Sequence, residues 1–274
     1  MSWWQALILG LVEGLTEYLP VSSTGHLILF QRALGIAEGE AANAYAICIQ
    51  AGAIVAVLGL YRARVASMFR GLAGRDDDGR RLLLCIVAGF LPAAVLGLAF
   101  NDWIEAHLFG LWPTVGAWFV GGVAILAVRG MRKDRDEGAG LALEQLAPRA
   151  AFLIGLLQCV AMWPGTSRSL VTIVGGVLVG LRLSAAVEFS FLLGVVTLCA
   201  ATGYAGLKSG SVMLENYGPL SLAVGFVAAW LAAVVSVRWM VAWLQKHGMA
   251  IFGWYRIALA AAVALWMISG GGGS

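Results

Sequence analysis

Glu13-Gly14-Leu15-Thr16-Glu17-Tyr18-Leu19-Pro20-Val21-Ser22-Ser23-Thr24-Gly25-His26 sets two carboxylates, several hydroxyls and an imidazole inside a run otherwise as apolar as lipid. An ionisable side chain at bilayer depth costs on the order of 3 kcal/mol or more, so such groups read as functional by default. A second cluster runs from Gln158 to Thr172 and contains Trp163-Pro164-Gly165-Thr166-Ser167-Arg168-Ser169. It repeats the proline, glycine and serine punctuation and adds a cation. The two stretches together read as one site built from two segments.

Working outward, the 274 residues are 61% apolar and only 12% charged, with a mean hydropathy of +0.86. Soluble domains carry about a quarter charged residues, so an ordinary water-soluble fold is excluded. The apolar runs are continuous, where barrel strands of ~10 residues would alternate, so the class is helical. The net charge of +3 resides in loops and gives no nucleic-acid surface. Cys48, Cys85, Cys159 and Cys199 stand singly in apolar segments and read as packing residues. No cleavable signal peptide is expected, because Glu13 and Glu17 fall where a cleavage site should be. Residues 270–274 read as a linker scar.

Residues 1–19 are helical in pattern but end in carboxylates, and 22–34 resume after Pro20. Neither supplies the ~20 apolar residues a crossing needs, so 1–35 reads as a re-entrant pair. Full spans follow at 43–61, 82–100 and 112–130. The loop 62–81 carries Arg62, Arg64, Arg70, Arg75, Arg80 and Arg81, and the loop 129–149 carries Arg129, Arg132, Lys133, Arg135 and Arg149. The turns 35–42 and 101–111 hold only acids, namely Glu38, Glu40, Asp102 and Glu105. The positive-inside rule therefore puts both basic loops in the cytoplasm and both acidic turns outside. Trp3, Trp4, Trp103 and Trp112 near span ends read as interfacial anchors.

From 150 the pattern restarts. A second re-entrant pair, 150–180, breaks at Pro164-Gly165 and precedes spans 184–205, 218–244 and 250–269, with Arg182, Arg238 and Lys246 on the inner side. Gly10-Leu-Val-Glu13 sets against Gly155-Leu-Leu-Gln158, and Pro20-Val-Ser-Ser-Thr-Gly25 against Pro164-Gly-Thr-Ser-Arg-Ser169. The expected fold is an all-α polytopic membrane protein with an inverted-topology repeat, 1–149 and 150–269. Each half is a re-entrant helix pair plus three transmembrane helices. Three crossings invert the second half, so the hairpins enter from opposite sides and their tips meet near the midplane.

Glu13 and Glu17 are one helical turn apart on one face. Two like charges in low dielectric are relieved either by a divalent cation or by a proton and hydrogen bonds to neighbouring helices. Ser23 and His26, three apart, suit a hydroxyl nucleophile with its base, or a hydroxyl positioning phosphate beside a general acid. Ser22/Ser23 and Thr166/Ser167 follow prolines at helix starts, where N-caps and anion sites belong. Arg168 supplies a fork for phosphate, with Thr172 one turn on and Thr24 and Ser169 as further candidates. Gln50, Gln158 and Glu188 read as helix braces, the last also as a partner for Arg182; His107 and His247 take bland loop or edge positions.

Carboxylates, hydroxyls, imidazole and guanidinium in one membrane site imply phosphoryl chemistry on a lipid-borne substrate. On Glu13-Gly-Leu-Thr-Glu17, Leu19-Pro-Val-Ser-Ser-Thr-Gly-His26, Pro164-Gly-Thr-Ser-Arg-Ser169 with Thr172, Glu188-Phe-Ser-Phe-Leu-Leu193 and Phe252-Gly-Trp-Tyr-Arg256, the chain resembles the undecaprenyl-diphosphatase family of bacterial bacitracin-resistance phosphatases. The resemblance implies a multi-pass inner-membrane enzyme that hydrolyses undecaprenyl diphosphate to undecaprenyl phosphate and phosphate. Its site is expected to open to the periplasm and to use Mg²⁺ or Ca²⁺. It further implies Glu13 and Glu17 as the acidic, metal-binding motif, with Glu17, Ser23, His26 and Arg168 catalytic. Ser22, Thr24, Ser167, Arg168, Ser169 and Thr172 are expected to hold substrate. The expected partners are a long-chain prenyl diphosphate and the membrane, with a homodimer left open. Val195-Val196 departs from the Ile-Pro that family members often carry. Acid-phosphatase-like lipid phosphatases fit less well, because the Ser-Leu-Val-Thr-Ile-Val-Gly-Gly that follows Arg168 holds no histidine and their upstream basic motif is missing. The competing class is a lipid-phosphate flippase or secondary transporter, which shares inverted repeats and broken helices.

Overall fold

The computed structural model describes residues 1–108, 110–131 and 140–271, which form ten α-helices and, among the described residues, no strand. Arg132, Lys133, Arg135 and residues 272–274, part of the stretch expected to be a linker, lie outside them, as do the side chains of Asp102, Glu105 and Arg129. The helices are α1 (Trp3–Thr16), α2 (Ser23–Ala33), α3 (Glu40–Leu60), α4 (Arg62–Leu72) and α5 (Asp77–Leu108). Then come α6 (Leu111–Met131), α7 (Pro148–Gln158), α8 (Arg168–Leu178), α9 (Leu183–His247) and α10 (Ala250–Trp266).

Among the described residues, five helices are long and apolar enough to cross a membrane: α3, α5 over Asp77–Phe100, α6 over Leu111–Val128, α9, and α10 extended to Ser269. At 65 residues, α9 would be about 97 Å long if straight, roughly three hydrocarbon thicknesses. It bends instead at Gly218 (φ 73°, ψ 161°), followed by Pro219, and so supplies two arms. The first arm stays helical through Val195-Val196 and beyond residue 205, where a loop was expected. No proline interrupts it there, and Ser209 Oγ donates to Glu40 Oε1 on α3 at 2.6 Å. Leu98, Leu207 and Leu220 are 73%, 93% and 67% exposed, whereas Glu13 and Arg256 are fully buried. An apolar outside around a charged inside suits lipid as solvent. The chain is a multi-pass membrane protein.

The 14 residues of α1 and the 11 each of α2, α7 and α8 reach at most about 21 Å, short of the ~30 Å core. Small residues seat them deeply. Gly10 and Gly14 lie on the backbone of Gly225 and Ala229 in the second arm of α9, and Gly155 of α7 lies on Gly89 of α5. A methyl group at any of these would collide with main chain, so only glycine permits that approach.

The basic loop 62–81 contains an unexpected helix, α4. Val65 and Met68 pack on the core, while Phe69 and Leu72 are 67% and 68% exposed, the pattern of an amphipathic helix at a membrane surface. Its Arg64 pairs with Glu188 at 2.6 Å and Glu144 at 2.7 Å, so the partner of Glu188 is Arg64 rather than the expected Arg182. The N–H of Glu144 itself, then Arg64, hold that surface carboxyl below its ordinary range.

Candidate active site

Two turns of matching geometry carry the polar motifs. After α1 the chain passes through Pro20, which has no N–H to continue a helix, and α2 starts at Ser23. Ser22 (φ 74°, ψ 97°) caps α2, and Ser167 (φ 77°, ψ 112°) caps α8. Among the described residues they are the only non-glycine residues with positive φ. That conformation costs an L-residue about 1–3 kcal/mol, which glycine would largely avoid. Glycine has no hydroxyl, however. Ser22 Oγ accepts from Gly25 N–H at 3.4 Å and Ser167 Oγ from Leu170 N–H at 3.3 Å.

The turns are tied to each other. Ser169 Oγ donates to the Leu19 carbonyl at 2.8 Å, and Ser167 Oγ to the same oxygen at 3.5 Å. Arg256 of α10 binds both turns at once. Its Nη1 donates to Pro20 O at 3.2 Å and its Nη2 to Gly165 O at 2.8 Å, while Ala117 O and Trp118 O on α6 accept at 2.9 and 3.3 Å. Gly121 leaves the room this guanidinium occupies. Sequence reasoning gave Arg256 no place in the site. A lone arginine in the last apolar span was the available signal, but its partners are backbone carbonyls, which no side-chain pattern shows.

At the junction, Glu17 Oε1 accepts from Arg168 Nη2 at 2.8 Å, and Glu17 Oε2 accepts a short hydrogen bond from Ser23 Oγ. Arg168 also donates through Nη1 to Ser190 O at 3.1 Å and stands 5.6 Å from the Tyr18 ring centroid. Gly194 on α9 lies directly against it. Behind Glu17, Glu13 is fully buried, and neither of its oxygens meets a donor. Its nearest charged neighbour is the Glu17 carboxylate.

Among the described residues no group of three or more His, Cys, Asp or Glu forms a ready-made metal cage. A hard cation such as Mg²⁺ needs none, since it commonly takes one or two carboxylates and completes its shell with phosphate and water. The orphaned oxygens of Glu13 beside Glu17 fit that donor set.

A cavity of about 300 Å³ opens onto this junction, and Glu17, Ser22, Ser23, Thr24, Ser167 and Arg168 line it. Glu13, His26, Ser169 and Thr172 do not. Thr172 bonds Ser190 Oγ at 2.6 Å and Arg168 O at 2.8 Å, so its hydroxyl, like that of Ser169, is turned into the protein. Helical spacing placed both one face away from the cavity once α8 took its rotation. His26 Nδ1 lies 2.6 Å from the Ser22 carbonyl and its Nε2 2.8 Å from Tyr255 Oη. A carbonyl only accepts, so in the neutral ring Nδ1 donates and Nε2 accepts from Tyr255. The ring also stacks on Tyr255 and meets Trp118 edge-on. The structure thus joins Ser23 to Glu17 and leaves His26 beneath Ser22.

Comparison with known proteins follows the same residues. The family model described as bacitracin resistance protein BacA matches residues 6–262. An undecaprenyl-diphosphatase of Sorangium cellulosum is 46% identical over 268 residues, 97% of this chain and 87% of that one. One from Ectopseudomonas mendocina is 41% identical over 265 residues, 96% and 94% of the two chains. Undecaprenyl-diphosphatase 2 of Rhodospirillum rubrum is 42% identical over 259 residues, 94% and 93% of the two. Both serine turns, the carboxylate pair and both buried arginines fall inside the matched region, and the chain belongs to the bacitracin resistance protein BacA family.

Proposed function

We propose that this protein is an undecaprenyl-diphosphate phosphatase, which returns undecaprenyl phosphate to the lipid-carrier cycle of cell-wall synthesis and so confers bacitracin resistance. The observation that carries the reading is the contact of Glu17 with both Ser23 and Arg168 at a cavity inside the membrane. A hydroxyl held by a carboxylate is a nucleophile with its base, and a guanidinium beside it is a phosphate clamp. A flippase has no use for the first of these.

The diphosphate enters with its terminal phosphate against Arg168 and the N-termini of α2 and α8, whose free N–H groups favour an anion. Phosphate competes with Glu17 for the guanidinium, and Glu17, so released, accepts the proton of Ser23. Ser23 Oγ bonds to the terminal phosphorus, the bond from phosphorus to the bridging oxygen breaks, and undecaprenyl phosphate leaves. Water then cleaves the phosphoserine. His26 holds the Ser22 carbonyl and with it the turn that aims Ser23, a positioning role in place of the acid–base role its spacing implied. Glu13 and Glu17 are the residues that would hold Mg²⁺ or Ca²⁺, which when bound neutralises diphosphate charge. Nearly all the catalysis is positioning and charge stabilisation.

The same reading makes the two halves, 1–149 and 150–269, inverted repeats. Two observations support it. Ser22 and Ser167 share an uncommon backbone conformation. The helix before each turn also packs on the opposite half, α1 on the second arm of α9 and α7 on α5. The enzyme sits in the bacterial inner membrane with its site open to the periplasm.

The test is phosphate release from a long-chain prenyl diphosphate by purified protein, with and without EDTA, alongside Ser23→Ala and Arg168→Ala. Each variant is expected to lose at least about a hundredfold in rate, and EDTA is expected to abolish release. Wild-type protein that binds the lipid without releasing phosphate would return the flippase reading to first place.

A further inference from the structure

The cavity carries a polar group that the phosphatase reading leaves unused. Gln158, the last residue of α7, is 2% exposed and lines the cavity. Its Nε2 is buried with no acceptor. Thr197 Oγ1, whose proton goes to the Leu193 carbonyl at 3.0 Å, stands 3.5 Å from Oε1. Arg168 Nε, on the same cavity, is likewise a buried donor with no acceptor. Buried donors in native proteins are nearly always paired, and two orphans around one cavity call for a ligand rich in acceptors. Carboxylates and hydroxyls crowd the first turn, whereas Gln158 and Arg168 bring N–H groups to the same cavity.

We infer that Gln158 is a substrate-binding residue whose side-chain amide donates a hydrogen bond to a phosphoryl oxygen of the diphosphate. The inference rests on the phosphatase reading, which names the anion that supplies the acceptor. It also explains why an amide stands where the matching position of the first half has Glu13. A second carboxylate there would repel the diphosphate that Arg168 attracts, while an amide donates to it without adding charge.

A non-hydrolysable long-chain prenyl methylenediphosphonate, bound to the purified protein in detergent or nanodiscs, separates binding from turnover. Gln158→Leu is expected to weaken this binding about tenfold, the loss of one hydrogen bond to a charged acceptor. Gln158→Glu is expected to weaken it further, with the thermal midpoints of both variants close to wild type. Binding within about twofold of wild type in folded Gln158→Leu and Gln158→Glu overturns the inference while leaving the phosphatase reading intact. Wild-type protein that neither binds the diphosphonate nor releases phosphate from the diphosphate overturns both. If Gln158→Leu does not fold, Gln158→Glu decides on the same measure.

Discussion

Glu17 and Arg168, 151 positions apart, meet across the two turns with Oε1 and Nη2 2.8 Å apart, and their side chains are only 5% and 10% exposed. A buried pair of this kind adds little net stability, because desolvation offsets most of the attraction, yet removing one member strands the other. The pair therefore matters for what each member does when substrate separates them. Glu17→Gln keeps the shape and removes the base, and phosphate release is expected to fall by about 10²–10⁴-fold. Arg168→Lys keeps the charge and loses the fork, so it should behave like a deletion rather than a conservative change. Near-wild-type turnover in either variant, measured as phosphate released per folded protein, would remove the assigned role.

Gly194 tests the same site without touching a chemical group. A methyl group there meets the Arg168 guanidinium directly. Gly194→Ala is expected to cut turnover by about a hundredfold, the scale of an ångström misplacement, with a much smaller change in thermal midpoint. A variant with unchanged turnover would show that the guanidinium position is not critical.

Arg256 makes a prediction about stability first. Its four carbonyl partners belong to three different segments. Arg256→Ala leaves them buried without donors and is expected to cost about 3 kcal/mol or more. A single ammonium cannot reach all four, so Arg256→Lys should recover only part of the loss. Thermal unfolding in detergent measures both, and a midpoint within a degree or two of wild type for the alanine variant would contradict the stapling role.

For His26 the informative variant is asparagine, whose amide can still donate to the Ser22 carbonyl. His26→Asn is expected to stay within about tenfold of wild type, less than the ~10²–10⁴ that loss of an acid–base group brings. The pH profile of kcat should keep its shape in this variant. Tyr255→Phe, which removes only the hydroxyl on Nε2, should be milder still. Disappearance of a limb of the pH profile in His26→Asn would restore histidine as acid or base.

The outline of the fold was legible because membrane constraints are few and strict. Charges inside an apolar run, helices too short to cross and prolines before serine pairs all survive in a bare sequence. Rotation does not. Ser169 and Thr172 lie on the helix that carries Arg168, yet α8 turns both hydroxyls toward protein partners, and sequence spacing fixes relative faces only. The partners of His26 were hidden for a similar reason. Three residues after Ser23 it shares roughly the same side of α2, but the Ser22 carbonyl one turn back captures Nδ1 and swings the ring toward α10. The partnership of Glu188 with Arg64 was hidden because α4 was read as loop.

The anchoring of both turns by Arg256 also orders events in time. A ribosome feeds this chain into the bilayer from its N-terminus, so Gly165 arrives 91 positions ahead of the guanidinium that clamps it, and Pro20 is older still. Until α10 inserts, neither hook has its clasp. A nascent chain that already carries Glu17, Ser23 and Arg168 thus still lacks the guanidinium that binds both turns, and is expected to complete the site only once α10 is in place.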